Sequence, residues 1–182
     1  TNFFVDNLHD NKDALKYLKD RGLEEKTIKE FRLGYARDEW RNLHDFLLKK
    51  EWSEKDMERV GLVKRSEGKV YDHFRGRIMF PLSDSAGRIV GFSGRIFGKE
   101  AENVGKYVNS PETEFFNKSK ILYGYNLAKL DIRRKDFTVL VEGQMDLLMS
   151  HQAGVTNSVA LSGTALTRDH LELLRRLSNR LI

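Results

Sequence analysis

The sequence Val139-Leu140-Val141-Glu142-Gly143-Gln144-Met145-Asp146 joins a short apolar run to a glutamate, a glycine and, four residues after the glutamate, an aspartate. In a parallel α/β sheet, ligands and metals are held at the carboxyl ends of the strands. A glutamate there and an aspartate in the next helical turn offer two oxygen ligands, which Mg²⁺ prefers. The stretch therefore predicts a metal site at Glu142 and Asp146. The alternative is structural, because the N-terminus of a helix favours negative charge in any protein.

The residues around this stretch continue the alternation of strand and helix. A nearly continuous apolar run indicates a strand buried on both faces, and Gly154 ends the helix that follows it. The predicted elements are a strand at 137–141, a helix at 144–153, a strand at 155–161, a helix from Thr167 to about Leu177 and the start of a third strand at 179–182. This order favours a mostly parallel sheet.

The first sixty-one residues predict short helices packed as a small bundle. Asn11 and Ser53 are suitable N-caps, and glycines stand where two of the helices should end. The helices are predicted after Asn11 as far as Gly22, from Glu24 to Phe31, from Asn42 to Lys50 and from Ser53 to Gly61.

The pattern changes to β-forming residues after Gly61. Strands are predicted at 70–71, 77–82 and 88–92, and the turn-forming run at 83–87 predicts a hairpin between the last two. Residues 98–105 and 109–111 are predicted to be loops, the second because proline restricts the residue before it.

Composition limits the classes of protein to which the chain can belong. Its 182 residues suffice for one domain or two small ones, and with 40% hydrophobic residues a packed core is expected. The net charge of +5 is compatible with a nucleic-acid partner without requiring one. Without cysteine, signal peptide or an apolar run of ~20 residues, we expect a cytoplasmic protein with no membrane partner. The missing initiator methionine suggests an excised fragment.

Basic residues beside glycines and aromatics form a second group of candidates. The planar fork of arginine suits phosphate, and interleaved aromatic rings can stack on bases. The alternative for each arginine is a solvated charged face. The group comprises Arg75, Arg77, Arg95, Lys106 and Lys118. The five histidines have no metal-binding spacing, so we interpret them as structural or surface residues. Ser162-Gly163-Thr164 is interpreted as a turn before a helix cap.

A series of short sequence motifs, taken in chain order, resembles the catalytic core of bacterial DnaG-type primases from about Ala14 to the C-terminus. Each string is weak alone, whereas the full set in the family's order is highly specific. The matching strings are Leu18-Lys19-Asp20-Arg21-Gly22-Leu23, residues 71–81 with Phe74-Arg75-Gly76-Arg77-Ile78-Met79-Phe80-Pro81, Gly91-Phe92-Ser93-Gly94-Arg95, residues 106–113 with Lys106-Tyr107-Val108-Asn109, Leu122-Tyr123-Gly124, Val141 to Asp146, and Leu161 to Thr167.

The resemblance implies an α+β fold, in which a helical and antiparallel-sheet basic subdomain precedes a truncated α/β Toprim module with a mostly parallel sheet. The implied domains are 1–117, helical over 1–61 with a small sheet over 62–117, and 118–182. The implied activity is that of a DNA-directed RNA polymerase, which makes short RNA primers from NTPs on a single-stranded DNA template. Mg²⁺ or Mn²⁺ is the implied cofactor, with no zinc in this chain, and a replicative helicase is an implied partner of the whole protein.

By this resemblance Glu142 is the Toprim glutamate and Asp146 its acidic neighbour, both catalytic and metal-binding. The residues implied to bind nucleic acid or nucleotide are Arg21, Arg75, Arg77, Arg95, Lys106, Tyr107, Asn109 and Lys118. The family's Toprim continues to an Asp-x-Asp pair, and a Cys/His zinc module precedes its core. This chain has neither, so we expect a truncated core that holds metal poorly and is inactive alone. Two alternatives remain, a non-catalytic module that binds single-stranded nucleic acid and another Toprim enzyme such as a topoisomerase or an OLD-type nuclease.

Overall fold

A computed structural model describes residues 1–98, 105–163 and 165–182. The chain divides into two compact units. The N-terminal unit consists of Thr1–Tyr17, Arg32–Pro81 and Gly91–Phe116, and the C-terminal unit of Leu18–Phe31, Leu82–Val90 and Asn117–Ile182. The last segment of the C-terminal unit begins next to the boundary that was predicted after residue 117. The two-domain division remains a prediction, because both units are assembled from separate segments.

Short helices and strands alternate along the described residues. The helices are α1 (Asn2–Asp10), α2 (Lys12–Asp20), α3 (Glu25–Glu30), α4 (Asn42–Leu48), α5 (Glu54–Arg59), α6 (Tyr125–Lys135), α7 (Gln144–Gln152) and α8 (Arg168–Arg175), with a 3₁₀ turn at Lys118–Lys120. The strands are β1 (Gly34–Ala36), β2 (Val63–Ser66), β3 (Lys69–Asp72), β4 (Arg77–Ser83), β5 (Ile89–Ile96), β6 (Tyr107–Asn109), β7 (Val139–Val141) and β8 (Ser158–Ala160). The α+β class is confirmed.

The main sheet of the described residues has the strand order β1-β4-β5-β6. β1 pairs antiparallel with β4, placing Gly34 opposite Met79, and β6 pairs antiparallel with β5, placing Tyr107 opposite Arg95. The predicted turn joins β4 to β5, where Asp84 Oδ1 accepts the backbone N–H groups of residues 86 and 88. This Asx geometry is the reason why the run of turn-forming residues predicted the hairpin correctly.

The N-terminal region is not the purely helical bundle that the sequence predicted. β1 is a strand of the main sheet, and the two-stranded sheet of β2 and β3 has its first strand where none was predicted. α1 was also missed, because no side chain caps its start. The four predicted helices are all present. Two caps are as predicted, since Asn11 Oδ1 accepts the Ala14 N–H at 2.9 Å and Ser53 Oγ accepts the Asp56 N–H at 3.1 Å.

α4 begins without a local side-chain cap. Asp72, at the end of β3, caps this helix instead, although it lies far from α4 in the sequence. Its buried carboxylate accepts the backbone N–H groups of Leu43 at 2.7 Å and His44 at 2.9 Å. Burial raises the pKa of Asp72, and these two hydrogen bonds oppose that rise. The start of α4 therefore depends on a strand that lies well beyond it in the sequence.

The C-terminal unit contains the predicted parallel pair of strands. β7 and β8 run parallel with Leu140 opposite Val159, and Thr138 forms a parallel bridge with Leu181, where the third strand was predicted to start. β7 is half-buried, so the prediction of a strand buried on both faces is wrong for the described residues. α6 was not predicted. Its buried residues Ala128 and Ile132 form a core with Val159 and further apolar side chains.

Other predictions have mixed outcomes. The predicted loop at 109–111 is shortened, because Asn109 is the last residue of β6. Most of the predicted loop at 98–105 lies outside the described residues, as does Thr164 of the turn that the sequence predicted at 162–164. A search of the described helices found none that is long and apolar enough to cross a membrane.

Candidate nucleic-acid and metal sites

An aromatic and cationic cluster in the N-terminal unit consists of the exposed Trp40 before α4 and the half-buried Tyr71 in β3 and Arg75 after it. The Arg75 guanidinium carbon lies 4.0 Å from the centroid of the Trp40 ring and 5.2 Å from that of the Tyr71 ring. Arg75 also donates to the Asp72 carbonyl at 2.5 Å. The Trp40 side chain is nevertheless 63% exposed. We call Trp40, Tyr71 and Arg75 the stacking platform, because it offers a flat π surface and a fixed positive charge to solvent.

Arg77 lies on β4 and is only 5% exposed. Its Nη1 group donates to the carbonyls of Gly94 at 3.1 Å, Gly105 at 3.1 Å and Lys106 at 3.4 Å. Burial lowers the pKa of Arg77, with Arg75 contributing in the same direction. These contacts tie β4 to β5 and to the segment that leads into β6. Arg77 therefore has a structural role, in which its buried side chain holds neighbouring strands of the main sheet together.

The glycine before Arg95 makes room for that arrangement. A Cβ atom on Gly94 would lie 3.0 Å from Arg77 Cδ and 3.0 Å from Phe74 Cδ1. The Arg77 stem therefore crosses β5 where that strand has no side chain. This close approach gives a physical reason for glycine in the Gly91-Phe92-Ser93-Gly94-Arg95 string.

Arg95 is held between two tyrosines of the same unit. It donates from Nε to the Tyr17 hydroxyl at 2.9 Å and from Nη1 to the Tyr107 hydroxyl at 3.0 Å. Lys106, which immediately precedes β6, has an exposed side chain. Asn109 is half-buried, and its carbonyl accepts a hydrogen bond from His73 Nε2 at 3.0 Å. Of the residues predicted to bind nucleic acid or nucleotide, those on β4, β5 and β6 are thus brought together on adjacent strands.

Glu142 and Asp146 lie where the sequence predicted, on either side of the turn between β7 and α7. Both are exposed, and neither carboxylate has a hydrogen-bond or ion-pair partner among the described residues. Asp146 Oδ2 lies 3.0 Å from the position that a Cβ on Gly143 would occupy, so the carboxylate folds back over the glycine. A side chain at 143 would crowd this space.

This arrangement fits Mg²⁺, which proteins commonly hold through one or two carboxylates while it keeps several waters. Within the described ranges there is no group of three or more His, Asp or Glu residues that could hold a metal ion. The carboxylate pair therefore offers two of the oxygen ligands that a candidate metal site needs, without a third such residue in the described ranges.

Arg21 is exposed at the turn between α2 and α3, in the C-terminal unit. Gln152, at the end of α7, fixes the backbone beside it. Its amide donates to the Gly22 carbonyl at 2.9 Å, and its oxygen accepts the Glu24 N–H at 2.8 Å and the Thr27 hydroxyl at 3.0 Å. The helix that begins beside Glu142 thus ends against the turn that carries Arg21.

Lys118 is half-buried and begins the 3₁₀ turn of the C-terminal unit. Its carbonyl accepts a hydrogen bond from His170 Nε2 at 3.0 Å. The sequence interpretation treated His170 as structural and did not connect it with Lys118, because the two residues are far apart in the chain.

The sequence interpretation also overlooked Trp40. The available signal was a lone tryptophan in the charged stretch between Arg37 and Arg41.

Comparison with known proteins now places this arrangement in a class. The family described as DNA primase catalytic core, N-terminal domain, matches residues 3–129, and the Toprim domain matches residues 136–182. The fold is therefore that of a primase catalytic core, in which the N-terminal domain of that core precedes a Toprim domain. The chain belongs to the DNA primase catalytic core family.

Individual relatives agree with this assignment. The chain is 42% identical over 181 residues to a DNA primase of Clostridium acetobutylicum, covering 99% of this chain and 30% of the relative. It is 46% identical over 166 residues to a DNA primase of Deinococcus radiodurans, covering 90% of this chain and 28% of the relative. The chain thus spans less than a third of these curated relatives.

Two solved structures show the same fold. The RNA polymerase domain of Mycobacterium tuberculosis primase DnaG, in complex with a double-stranded DNA oligomer with a 6-nucleotide overhang, superposes with a TM-score of 0.91 at 36% identity, over 96% of this chain and 55% of that one. A DnaG primase catalytic domain bound to single-stranded DNA superposes with a TM-score of 0.87 at 35% identity, over 99% of this chain and 58% of that one.

Proposed function

We propose that the protein to which this chain belongs is a DNA primase that synthesises short RNA primers from NTPs on single-stranded DNA. Family membership supports the reaction class. The structural observation that carries it is the pair of carboxylates at the end of β7, which have no partner among the described residues. An exposed, unpaired carboxylate pair at a strand end is suited to a divalent cation, and phosphoryl transfer uses such cations to neutralise developing charge.

The template is proposed to lie against the N-terminal unit. The stacking platform offers an aromatic face for a base and a guanidinium for a phosphate, the combination that binds single strands without sequence preference. The exposed Lys106 adds a further cation. Tyr107 and Asn109 are proposed to contact nucleotide from β6, and Arg21 and Lys118 to contact phosphate from the C-terminal unit. Arg77 and Arg95 are proposed to act mainly by holding the strands that carry these groups.

Glu142 and Asp146 are proposed to hold Mg²⁺ or Mn²⁺. When bound, the cation supplies charge neutralisation and orients phosphate oxygens for displacement. The chain's own contribution is to present both carboxylates on one turn, with Gly143 leaving space for Asp146 to fold back. The positive end of α7 lies at the same turn and favours an anionic phosphate beside the cation.

A second function is favoured for the chain by itself, namely non-catalytic binding of single-stranded nucleic acid. Two carboxylates, without a third ligand among the described residues, hold a cation weakly, whereas the stacking platform is complete. The isolated chain is therefore proposed to bind single strands in a salt-sensitive way and to synthesise little primer. A replicative helicase as partner and the cytoplasm as location remain proposals that follow from the primase reaction.

The binding proposal is tested by tryptophan substitutions in this chain. Trp40→Ala should weaken binding to a single-stranded oligonucleotide by about 1–3 kcal/mol, the value typical of one stacked base. Trp52→Ala is a matched control, because Trp52 is also in the N-terminal unit and 58% exposed but has no cation from the described residues stacked on it. Binding should also weaken steeply with salt. Equal effects of the two substitutions would remove the stacking platform from the binding site.

The catalytic proposal is tested in the full-length parent protein. Glu142→Gln should reduce primer synthesis by more than about 100-fold, since loss of a mere outer-shell contact to a metal costs 10–100-fold. Glu172→Gln, on α8, is the control because Glu172 is paired with Arg168 on the surface. Primer synthesis that survives Glu142→Gln unchanged would show that the carboxylate pair is not the metal site.

A further inference from the structure

The 3₁₀ turn that carries Lys118 has little stability of its own. It spans only Lys118–Lys120, and its local support comes from Asn117, whose Oδ1 accepts the N–H and the hydroxyl of Ser119 at 3.0 and 2.7 Å. Short 3₁₀ turns have poor hydrogen-bond geometry. The orientation of Lys118 therefore depends on contacts from elsewhere in the C-terminal unit.

Those contacts come from the first turn of α8. His170 Nε2 donates to the Lys118 carbonyl at 3.0 Å, and the Thr167 hydroxyl donates to the Ser119 carbonyl at 2.7 Å. His170 is completely buried. Two successive backbone carbonyls of the turn are thus held by one helix N-terminus.

A second hydrogen bond fixes the orientation of the histidine ring. Its Nδ1 accepts the Thr167 N–H at 3.3 Å, while the Thr167 hydroxyl accepts the His170 N–H at 3.1 Å. This reciprocal pair is a capping box with histidine in the place usually taken by Glu or Gln. Burial lowers the pKa of His170, which favours the neutral ring that this pattern needs.

The capping box does not require a histidine, whereas contact with Lys118 requires a second polar atom on the far side of the ring. We propose that His170 is a positioning residue that orients Lys118 toward a phosphate group through the Lys118 carbonyl. This inference rests on the proposed function, in which Lys118 contacts nucleic acid or nucleotide. The phosphate belongs either to an NTP or to the template backbone.

A matched pair of substitutions separates positioning from capping. In the full-length parent protein, His170→Asn places an amide oxygen where Nδ1 stood, which keeps the cap, and removes the group that reaches Lys118. His170→Gln places an amide N–H₂ where Nε2 stood, which keeps the contact with Lys118. Both replacements are neutral and no larger than histidine, and circular dichroism checks that the helices are retained.

Two measurements identify the source of the phosphate. One is the KM for NTPs in primer synthesis, and the other is the Kd for a fluorescent single-stranded oligonucleotide. Lys118→Ala should raise one of them about 10-fold or more, because a hydrogen bond to a charged group is lost. His170→Asn should raise the same quantity with kcat little changed, whereas His170→Gln should stay near the wild-type value. The double variant Lys118→Ala/His170→Asn should be no weaker than Lys118→Ala alone.

Other outcomes overturn the inference in distinguishable ways. If His170→Asn, which keeps the cap but loses the contact with Lys118, changes neither quantity, His170 only caps α8. If the effects of Lys118→Ala and His170→Asn multiply, the two residues act independently, and the primase proposal stands without the positioning role. If Lys118→Ala changes neither quantity, the proposed phosphate contact of Lys118 fails and the positioning role fails with it.

Discussion

The cations of the main sheet and the carboxylates beside β7 differ in how the protein holds their side chains. Arg77 and Arg95 are buried and fixed by hydrogen bonds to carbonyls and to tyrosine hydroxyls. Glu142 and Asp146 are exposed, and their carboxylates have no partner among the described residues. The sheet cations thus contribute to stability, whereas the carboxylates are left available for a ligand. Mutations should therefore affect folding in the first region and metal binding in the second.

The largest effect on folding is expected at Arg77. Arg77→Met keeps most of the side-chain stem but leaves the carbonyls of Gly94 and Gly105 without their donor, so the free energy of unfolding should fall by about 2–4 kcal/mol. Urea denaturation measures it. Arg168→Met should change this quantity by less than about 0.5 kcal/mol, because Arg168 is exposed and its ion pair within the described ranges, with Glu172, lies at the surface. Equal effects would contradict the buried role of Arg77.

Replacing each of two glycines with alanine should show how differently the packed main sheet and the exposed turn after β7 tolerate an added side chain. Gly94→Ala should destabilise the protein by about 1–3 kcal/mol, because the new Cβ would crowd the Arg77 stem and the Phe74 ring inside packed structure. Gly143→Ala meets only the Asp146 carboxylate, which can turn away, so the loss should stay below about 0.5 kcal/mol. Thermal unfolding compares the two variants. A larger loss of stability for Gly143→Ala than for Gly94→Ala would show that the turn carrying Glu142 and Asp146 is rigid.

Acid should weaken both units through histidines that are buried or half-buried. Burial lowers the pKa of His73, His151 and His170 below the ordinary value of 6.5. The unfolded chain then binds more protons, so stability is full above pH 6.5 and is lost as the pH falls below it. The loss should amount to at most about 1.4 kcal/mol per pH unit for each histidine.

Urea denaturation between pH 7.5 and 5.5 measures this loss of stability. His151→Gln can still donate to the Ser158 carbonyl, which His151 Nε2 contacts at 3.0 Å, but cannot titrate. The slope of stability against pH should therefore be shallower in this variant. An unchanged slope would mean that His151 does not contribute to the acid sensitivity.

The smallest effect is expected from Mg²⁺ on the isolated chain. A partial site with a Kd near the added concentration stabilises by only about 0.4 kcal/mol. Thermal unfolding with Mg²⁺ should therefore show a small upward shift, which Glu142→Gln abolishes. Arg77→Met should lower the starting stability without abolishing the shift. A shift that survives Glu142→Gln would place the bound cation elsewhere.

Much of the candidate site could be predicted because its signals are local. The apolar run, glycine and two carboxylates between Val139 and Asp146 give the strand, turn and helix directly. The sequence also singled out the basic residues, but it did not predict which of them are buried and which are accessible. Arg75 and Arg77 are separated by one glycine and look alike in sequence, yet Arg75 stacks on the exposed Trp40 while Arg77 is buried beneath the sheet. Burial depends on strands that approach from elsewhere in the chain, which a local pattern does not contain.

The sequence by itself determined the helix caps at Asn11, Ser53 and Thr167, the strand-turn-helix around Glu142 and the resemblance to primase cores. These features depend on residues a few positions apart, where side chain and backbone interact whatever the rest of the chain does. Only the tertiary structure decided that β1 joins β4, that Asp72 caps α4 and that His170 reaches Lys118. Each of these contacts joins segments separated by tens of residues, and it forms only when the packing of a whole unit brings them together.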